Sequence, residues 1–188
     1  ALTLAAISLN QTDIEGQMRN ELTPLLDALR NCRIPTIAAV NGIASGTGAN
    51  LALAADIVIA TQSATFEQAS VKIGLIPDAG GTFELPRRLG LARALGMSLL
   101  PTKLSAQKAQ QWGLIWECVA DDDFLETVYE RATVLADGPT ETYRLIKKAM
   151  RISFDQTYEA QLETEAVLQG KASQTSDFSE GVTAHLDG

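Results

Sequence analysis

The chain has 188 residues, 46% of them hydrophobic and 20% charged, a composition suited to one good-sized globular core. Its formal net charge of −8 argues against a nucleic-acid surface, because neutralising phosphates takes clustered Lys and Arg. No basic stretch leads into an apolar one as in a signal peptide, and the longest apolar run, 51–60, is short and interrupted by Asp56. Cys32 and Cys118 form no Cys-x-x-Cys pair, so a cytoplasmic protein with reduced thiols and no membrane span is expected.

Residues 15–32 carry apolar side chains at Met18, Leu22, Leu25, Leu26 and Leu29, the spacing of one helical face. Pro24 inside that pattern predicts a kink or a break. Pro35 opens the run 36–40, rich enough in β-branched residues for a buried strand. Asn41-Gly42 turns the chain, Gly46-Thr47-Gly48 turns it again, and residues 49–55 are strong helix formers. Residues 57–60 read as a second buried strand, which makes a right-handed crossover between parallel strands. Phe66 and residues 71–73 read as further short strands. Residues 74–81 form a tight loop, with a helix after it through Leu85 and another over 89–100. Ser105 is placed to N-cap 106–112, with Gly113 as the residue that ends that helix, and 114–119 reads as a strand. Four helices follow, at Phe124–Ala136, Thr140–Ile152, 157–169 and 177–186. The organisation is a strand-rich segment, 1–122, and a helical region, 123–188, expected to serve packing and oligomerisation.

The histidine count limits the chemistry. His185 is the only one, so a Ser-His-Asp triad, a Cys-His pair or a histidine-rich metal site has almost no raw material. No metal and no separate cofactor is expected. Proton transfer is left to carboxylates, backbone groups and water. The glycine-rich turn does not fit a P-loop, since no lysine follows, nor a dinucleotide fingerprint, since Leu51 stands where the third glycine belongs. A nucleophile elbow at Ser45 fails on register and on the absent partner histidine. Two readings of the turn remain. It is a tight strand-to-helix connection, or it is the start of a short helix whose unpaired N–H groups near Thr47 suit a developing oxyanion.

Asp78 also has two readings. It is an N-cap for the helix that follows, or a carboxylate set in the apolar loop of Ile76, Pro77 and Ala79 and available for proton transfer. Asp56 closes a helix and reads as structural. Glu67 can face a pocket or solvent. Asp121-Asp122-Asp123 reads as a solvated helix entry, Arg87-Arg88 as surface residues after Pro86, and Trp112 and Trp116 as core.

Three segments carry a resemblance when taken in order. They are Ile34-Pro35-Thr36-Ile37-Ala38-Ala39-Val40-Asn41-Gly42, then residues 44–56, then Gly74-Leu75-Ile76-Pro77-Asp78-Ala79-Gly80-Gly81-Thr82 with Leu85-Pro86-Arg87. Leu104-Ser105-Ala106 and the ending 177–184 also fit. Together they resemble the crotonase superfamily, the enoyl-CoA hydratase/isomerase family. The resemblance implies an α/β fold, a spiral of ββα units with C-terminal helices, assembled as trimers or dimers of trimers. It implies an acyl-CoA thioester as substrate, with coenzyme A present only as part of it. It also implies an enolate oxygen held between two backbone N–H groups, one of them at Thr47 within Gly46-Thr47-Gly48. In that setting Ala44, Gly46, Gly48, Asn50, Ser70 and Pro77 line the substrate. The departure from glycine at Thr47 is expected to matter little, because the donor is backbone.

The acids refine the resemblance. Hydratases of the family carry glutamates where this chain has Asn50 and Ser70, neither of which is a general base. The Asp78 position carries the catalytic aspartate in dienoyl-CoA isomerases and in ring-1,2-epoxyphenylacetyl-CoA isomerases of phenylacetate catabolism, the group most similar in style. An isomerase using Asp78 as acid and base is therefore expected. The alternatives are a hydratase or thioester hydrolase, and a silent subunit that only binds CoA esters or assembles with partners. The family's Ala-Gly-x-Asp loop, source of the second N–H, does not occur in this sequence. N-terminal strands beyond this chain are expected, and the contiguity of residues 1–20 is left open.

Overall fold

The computed structural model describes residues 13–187. The first twelve residues, part of the stretch whose contiguity the sequence leaves open, lie outside the described residues. The chain divides into two compact units. One comprises the chain up to Cys32 together with Thr36–Tyr129, and the other comprises Arg33–Pro35 and Glu130–Gly188.

In the first unit, α1 (Ile14–Gln17) and α2 (Thr23–Arg30) flank a widened π-helical turn at Met18–Leu22. The widening answers Pro24. A regular helix would bring the proline ring against the Asn20 carbonyl and ask for an N–H that proline lacks. The chain slips instead, and the Thr23 N–H reaches back to the Met18 carbonyl.

The strands then follow in repeating order. β1 (Ile37–Val40), β2 (Ile43–Ser45) and α3 (Thr47–Leu53) make a first strand-strand-helix unit. A second contains β3 (Ile57–Thr61), β4 (Thr65–Glu67), a 3-10 turn at Ser70–Ile73 and α4 (Gly81–Leu89). Corresponding strands pair in parallel, Ile37 opposite Ile57 and Ile43 opposite Thr65, so the second unit stacks on the first. This is the spiral expected from the resemblance. After α5 (Leu91–Leu99) comes β5 (Leu104–Ser105), antiparallel to β4, then α6 (Ala106–Gln111) and β6 (Glu117–Val119), parallel to β3. The two three-stranded sheets run in the order β1-β3-β6 and β2-β4-β5. Leu53, Val58, Phe66, Leu85 and Leu114 are almost fully buried among them. Each such side chain contributes about 1.5–3 kcal/mol relative to exposure.

Several expectations change. Residues 71–73 are a 3-10 turn, closed by i→i−3 bonds from Lys72 to Ala69 and from Gly74 to Val71. Val71 and Ile73 expose their side chains, so β-branching there does not mean a sheet. α4 runs past Leu85 to Leu89 despite Pro86, which removes one rung by leaving the Thr82 carbonyl without its N–H. Trp116 is 68% exposed and not core. Ile115 takes the inward position and Trp116, next along an extended segment, the outward one. Arg88 is not a surface residue. Its Nη2 donates to the carbonyls of Leu53 (2.6 Å) and Ala55 (3.5 Å), its Nη1 to that of Leu114 (3.3 Å), and its Nε to Glu84 (3.1 Å). It thereby satisfies the last carbonyl of α3 and that of Ala55 just beyond its cap. Asp56 is structural as expected, accepting from the Thr36 N–H and hydroxyl at 2.8 and 2.9 Å. Ser105 caps α6 and Gly113 follows it with φ 80°, as the sequence predicts.

Helix α7 (Phe124–Ala136) contains the boundary between the units. The second unit holds α8 (Thr140–Ile152), a 3-10 turn at Ser153–Asp155, α9 (Tyr158–Ala172) and α10 (Ser176–Asp187). α8 packs on α9, where the Gln161 side chain donates to the Ala149 carbonyl at 3.3 Å. Among the described residues no helix is long and apolar enough to cross a membrane.

Candidate active site

Gly46 and Thr47 set the geometry of the first half of the site. Gly46 is buried with φ 52° and ψ −125°, a conformation that disfavours a side chain. Its N–H donates to the Glu67 carbonyl at 2.8 Å, anchoring the turn to β4. The first helical bond of α3 runs from Asn50 N–H to Gly46 C=O, 3.1 Å. The N–H groups of Thr47, Gly48 and Ala49 precede that bond and have no preceding helical turn to accept them. Thr47 is half-buried and Gly48 exposed. Ala44 packs its side chain in the core, and the Ser70 hydroxyl lies 3.7 Å from where a Cβ on Gly46 would stand.

The second half is the loop ahead of α4. Asp78 does not cap that helix. The capping position belongs to Gly80, left-handed at φ 78°, and no side chain caps α4. Ala79, buried at 3% exposure, is also left-handed at φ 47°, which a non-glycine residue adopts only under constraint. This double left-handed turn directs the Asp78 carboxylate back toward α3. Its Oδ2 accepts the Thr47 hydroxyl at 2.6 Å. Its Oδ1 is buried and has no hydrogen-bond partner. One oxygen is thus held and the other is left for something else. Pro77, half-buried, precedes it with φ fixed by the ring.

Asn50 is 1% exposed and spends its amide inside the protein. Nδ2 donates to the Asp78 carbonyl (3.0 Å) and to Gln68 Oε1 (3.2 Å), and Oδ1 accepts from Gln68 Nε2 (2.8 Å). Glu67, the open question among the acids, faces inward at 6% exposure and pairs with Lys72.

The structure therefore joins Thr47, Asn50 and Asp78 by hydrogen bonds and sets Gly46 beside Ser70. Beside the backbone N–H that the sequence singles out, the Thr47 side chain is the partner of the Asp78 carboxylate. Gln68 was missed by sequence reasoning. No local signal marks it, since Thr65, Glu67 and Ser70 make its neighbourhood polar, and only the fold buries it against Asn50.

An enoyl-CoA hydratase/isomerase family model matches residues 2–187. A Rhodobacter capsulatus protein named "Probable enoyl-CoA hydratase" is 51% identical over 175 residues, covering 93% of this chain and 68% of that one. The 1,2-epoxyphenylacetyl-CoA isomerase of Escherichia coli K12 is 47% identical over 174 residues, covering 93% and 66%. The crystal structure of an enoyl-CoA hydratase/isomerase from Cupriavidus metallidurans CH34 superposes with a TM-score of 0.88 at 30% identity, over 95% of this chain and 67% of that one. The chain thus spans about two-thirds of the length of the curated relatives it matches. Its fold is the crotonase fold, and the chain belongs to the enoyl-CoA hydratase/isomerase family of the crotonase superfamily.

Proposed function

We propose that the protein isomerises an acyl-CoA thioester through an enolate, with Asp78 as acid and base and the Thr47 N–H as one oxyanion donor. The observation that carries this reading is the divided carboxylate of Asp78, one oxygen held by the Thr47 hydroxyl and the other buried and unpartnered. With a 3-enoyl thioester, Oδ1 takes a proton from the carbon beside the thioester carbonyl. The C–H electron pair moves into the chain and onto the carbonyl oxygen. The Thr47 N–H stabilises that oxyanion, an interaction worth about 10²–10³-fold in rate. The same proton returns to the carbon at position four, and the double bond ends in conjugation with the thioester. For a ring epoxide, the likeness to the 1,2-epoxyphenylacetyl-CoA isomerase supports a related use, in which Asp78 assists ring opening.

Hydration is the second reading, and the name of the Rhodobacter capsulatus relative favours it. Against it, the two positions where hydratases of the family carry glutamates hold Asn50 and Ser70, an amide and a hydroxyl, which do not take a proton from water at neutral pH. A silent binding subunit is disfavoured by a carboxylate that neither caps its helix nor points into solvent. Assembly as a homotrimer or a dimer of trimers is part of the proposal.

The test is Asp78→Asn in the full encoded protein, assayed with 3-hexenoyl-CoA for the conjugated product and with 2-hexenoyl-CoA for water addition. Loss of about 10²–10⁴-fold in isomerisation, with thioester binding kept, is the expected result. Full isomerisation by the variant refutes the proposal, and hydration outpacing isomerisation in the parent moves it to the second reading.

A further inference from the structure

Asp78 is gripped from one face of α3 at two points. Thr47 and Asn50 are three residues apart on that helix, so their side chains lie on the same face. Thr47 meets the carboxylate and Asn50 meets the backbone carbonyl of the same residue. That carbonyl also accepts the Gly81 N–H at 2.7 Å, but this bond comes from the loop's own next turn and travels with it. The Asn50 bond ties the backbone of the loop to the helix that carries the Thr47 N–H, where Thr47 holds only the side chain.

The orientation of Asn50 is not free. A carbonyl only accepts, so the NH₂ group must face Asp78, and Oδ1 must then face Gln68. Gln68 answers with the complementary pair, donating through Nε2 and accepting through Oε1. Both amides are 1% exposed, so a flip would leave buried groups unsatisfied. Gly81 completes the arrangement. A Cβ there would stand 2.6 Å from Asn50 Cγ, so only glycine leaves the amide its place.

Resting on the reading of Asp78 as the acid–base, we infer that Asn50 and Gln68 are positioning residues, a buried amide pair that fixes the Asp78 loop to α3 and sets where Oδ1 stands. Neither needs to touch the thioester. The Asn50 position thus serves the carboxylate from behind rather than lining the substrate.

The test compares the full encoded protein with a double variant, Asn50→Leu with Gln68→Leu, and with Gly81→Ala and Asp78→Asn. The double variant removes both amides together, so no buried donor or acceptor is stranded between them and thermal stability is expected to stay close to the parent's. With 3-hexenoyl-CoA its kcat should fall about 10²-fold, the usual effect of an ångström of misplacement, while KM changes by less than about threefold. Gly81→Ala should show the same split, because its Cβ displaces the Asn50 amide, and it provides the reading if the double variant does not fold. A folded variant with kcat within about twofold of the parent, while Asp78→Asn is inactive, overturns the inference. Turnover retained by Asp78→Asn overturns the underlying reading instead.

Discussion

Thr47→Val separates the two roles given to one residue. Valine keeps the backbone N–H and nearly the shape of threonine, and removes only the hydroxyl. The lost bond is a short one to a carboxylate, 2.6 Å, of the kind worth about 1.5–3 kcal/mol. Because Asp78 Oδ1 already has no partner, the variant leaves the whole half-buried carboxylate without a protein donor. For a chain of this size, about 2–4 °C of melting temperature is lost per kcal/mol, so a fall of roughly 3–12 °C is expected. The catalytic effect is separate. A carboxylate free to rotate no longer presents Oδ1 in one direction, and kcat for 3-hexenoyl-CoA should drop about 10²-fold. KM should hardly move, since the oxyanion donor and the thioester contacts remain. Thr47→Ser restores the hydroxyl and should recover most of the rate. Differential scanning calorimetry and steady-state kinetics on the three proteins decide the matter. If Thr47→Val keeps the parent's kcat, the hydroxyl does not position Asp78.

Two further predictions concern the scaffold and the thiols. Arg88→Leu strands the carbonyls of Leu53 and Leu114 and leaves Glu84, with a side chain 17% exposed, short of one cation. Urea denaturation should show a loss of about 3 kcal/mol, tempered by the remaining Arg30–Glu84 pair, and a loss below about 1 kcal/mol refutes the assignment of Arg88 as the staple of α3. Burial pushes the Cys118 thiol above its ordinary 9.0, and the nearby Asp121 carboxylate adds to the shift. A folded-state value raised in this way means that the neutral thiol is favoured by folding. Its contribution is complete below the unfolded value and is lost as pH rises through the folded one. At pH 8 iodoacetamide should therefore label Cys118 more slowly than free cysteine, as read by mass spectrometry, and Asp121→Asn should narrow the gap. Equal labelling rates contradict it.

The fold was legible wherever one local signal decided the outcome. The Ser105 cap, Gly113 and the helices Phe124–Ala136 and Thr140–Ile152 fall where the sequence places them, because caps and helical periodicity act within a few residues. The failures have one cause. β2 went unread between Asn41-Gly42 and Gly46 because its three residues are strand only by pairing with β4. The 3-10 turn at Ser70–Ile73 reads as a strand in sequence because β-branched residues favour strands only where the surroundings let them pair. Arg88 follows Pro86 as a surface arginine would, and only the fold brings the carbonyls of Leu53 and Leu114 to its guanidinium.

The site shows the same division more sharply. Asp78 could be singled out, but its two readings differ in a backbone fact that no local pattern gives. The cap of α4 falls two residues later, on Gly80, and the left-handed Ala79 turns the carboxylate away from the helix it precedes. Thr47 sits 31 residues earlier, and nothing in Gly46-Thr47-Gly48 announces a carboxylate partner. Read as a turn, that segment asks only for small residues and a backbone donor, which makes the threonine look incidental. In the structure a glycine there would keep the N–H and lose the bond to Asp78. The residue that seemed to depart from the family's pattern is the one that divides the carboxylate into a held oxygen and an available one. On the proposed mechanism, such a division assigns one oxygen to anchoring and the other to the proton.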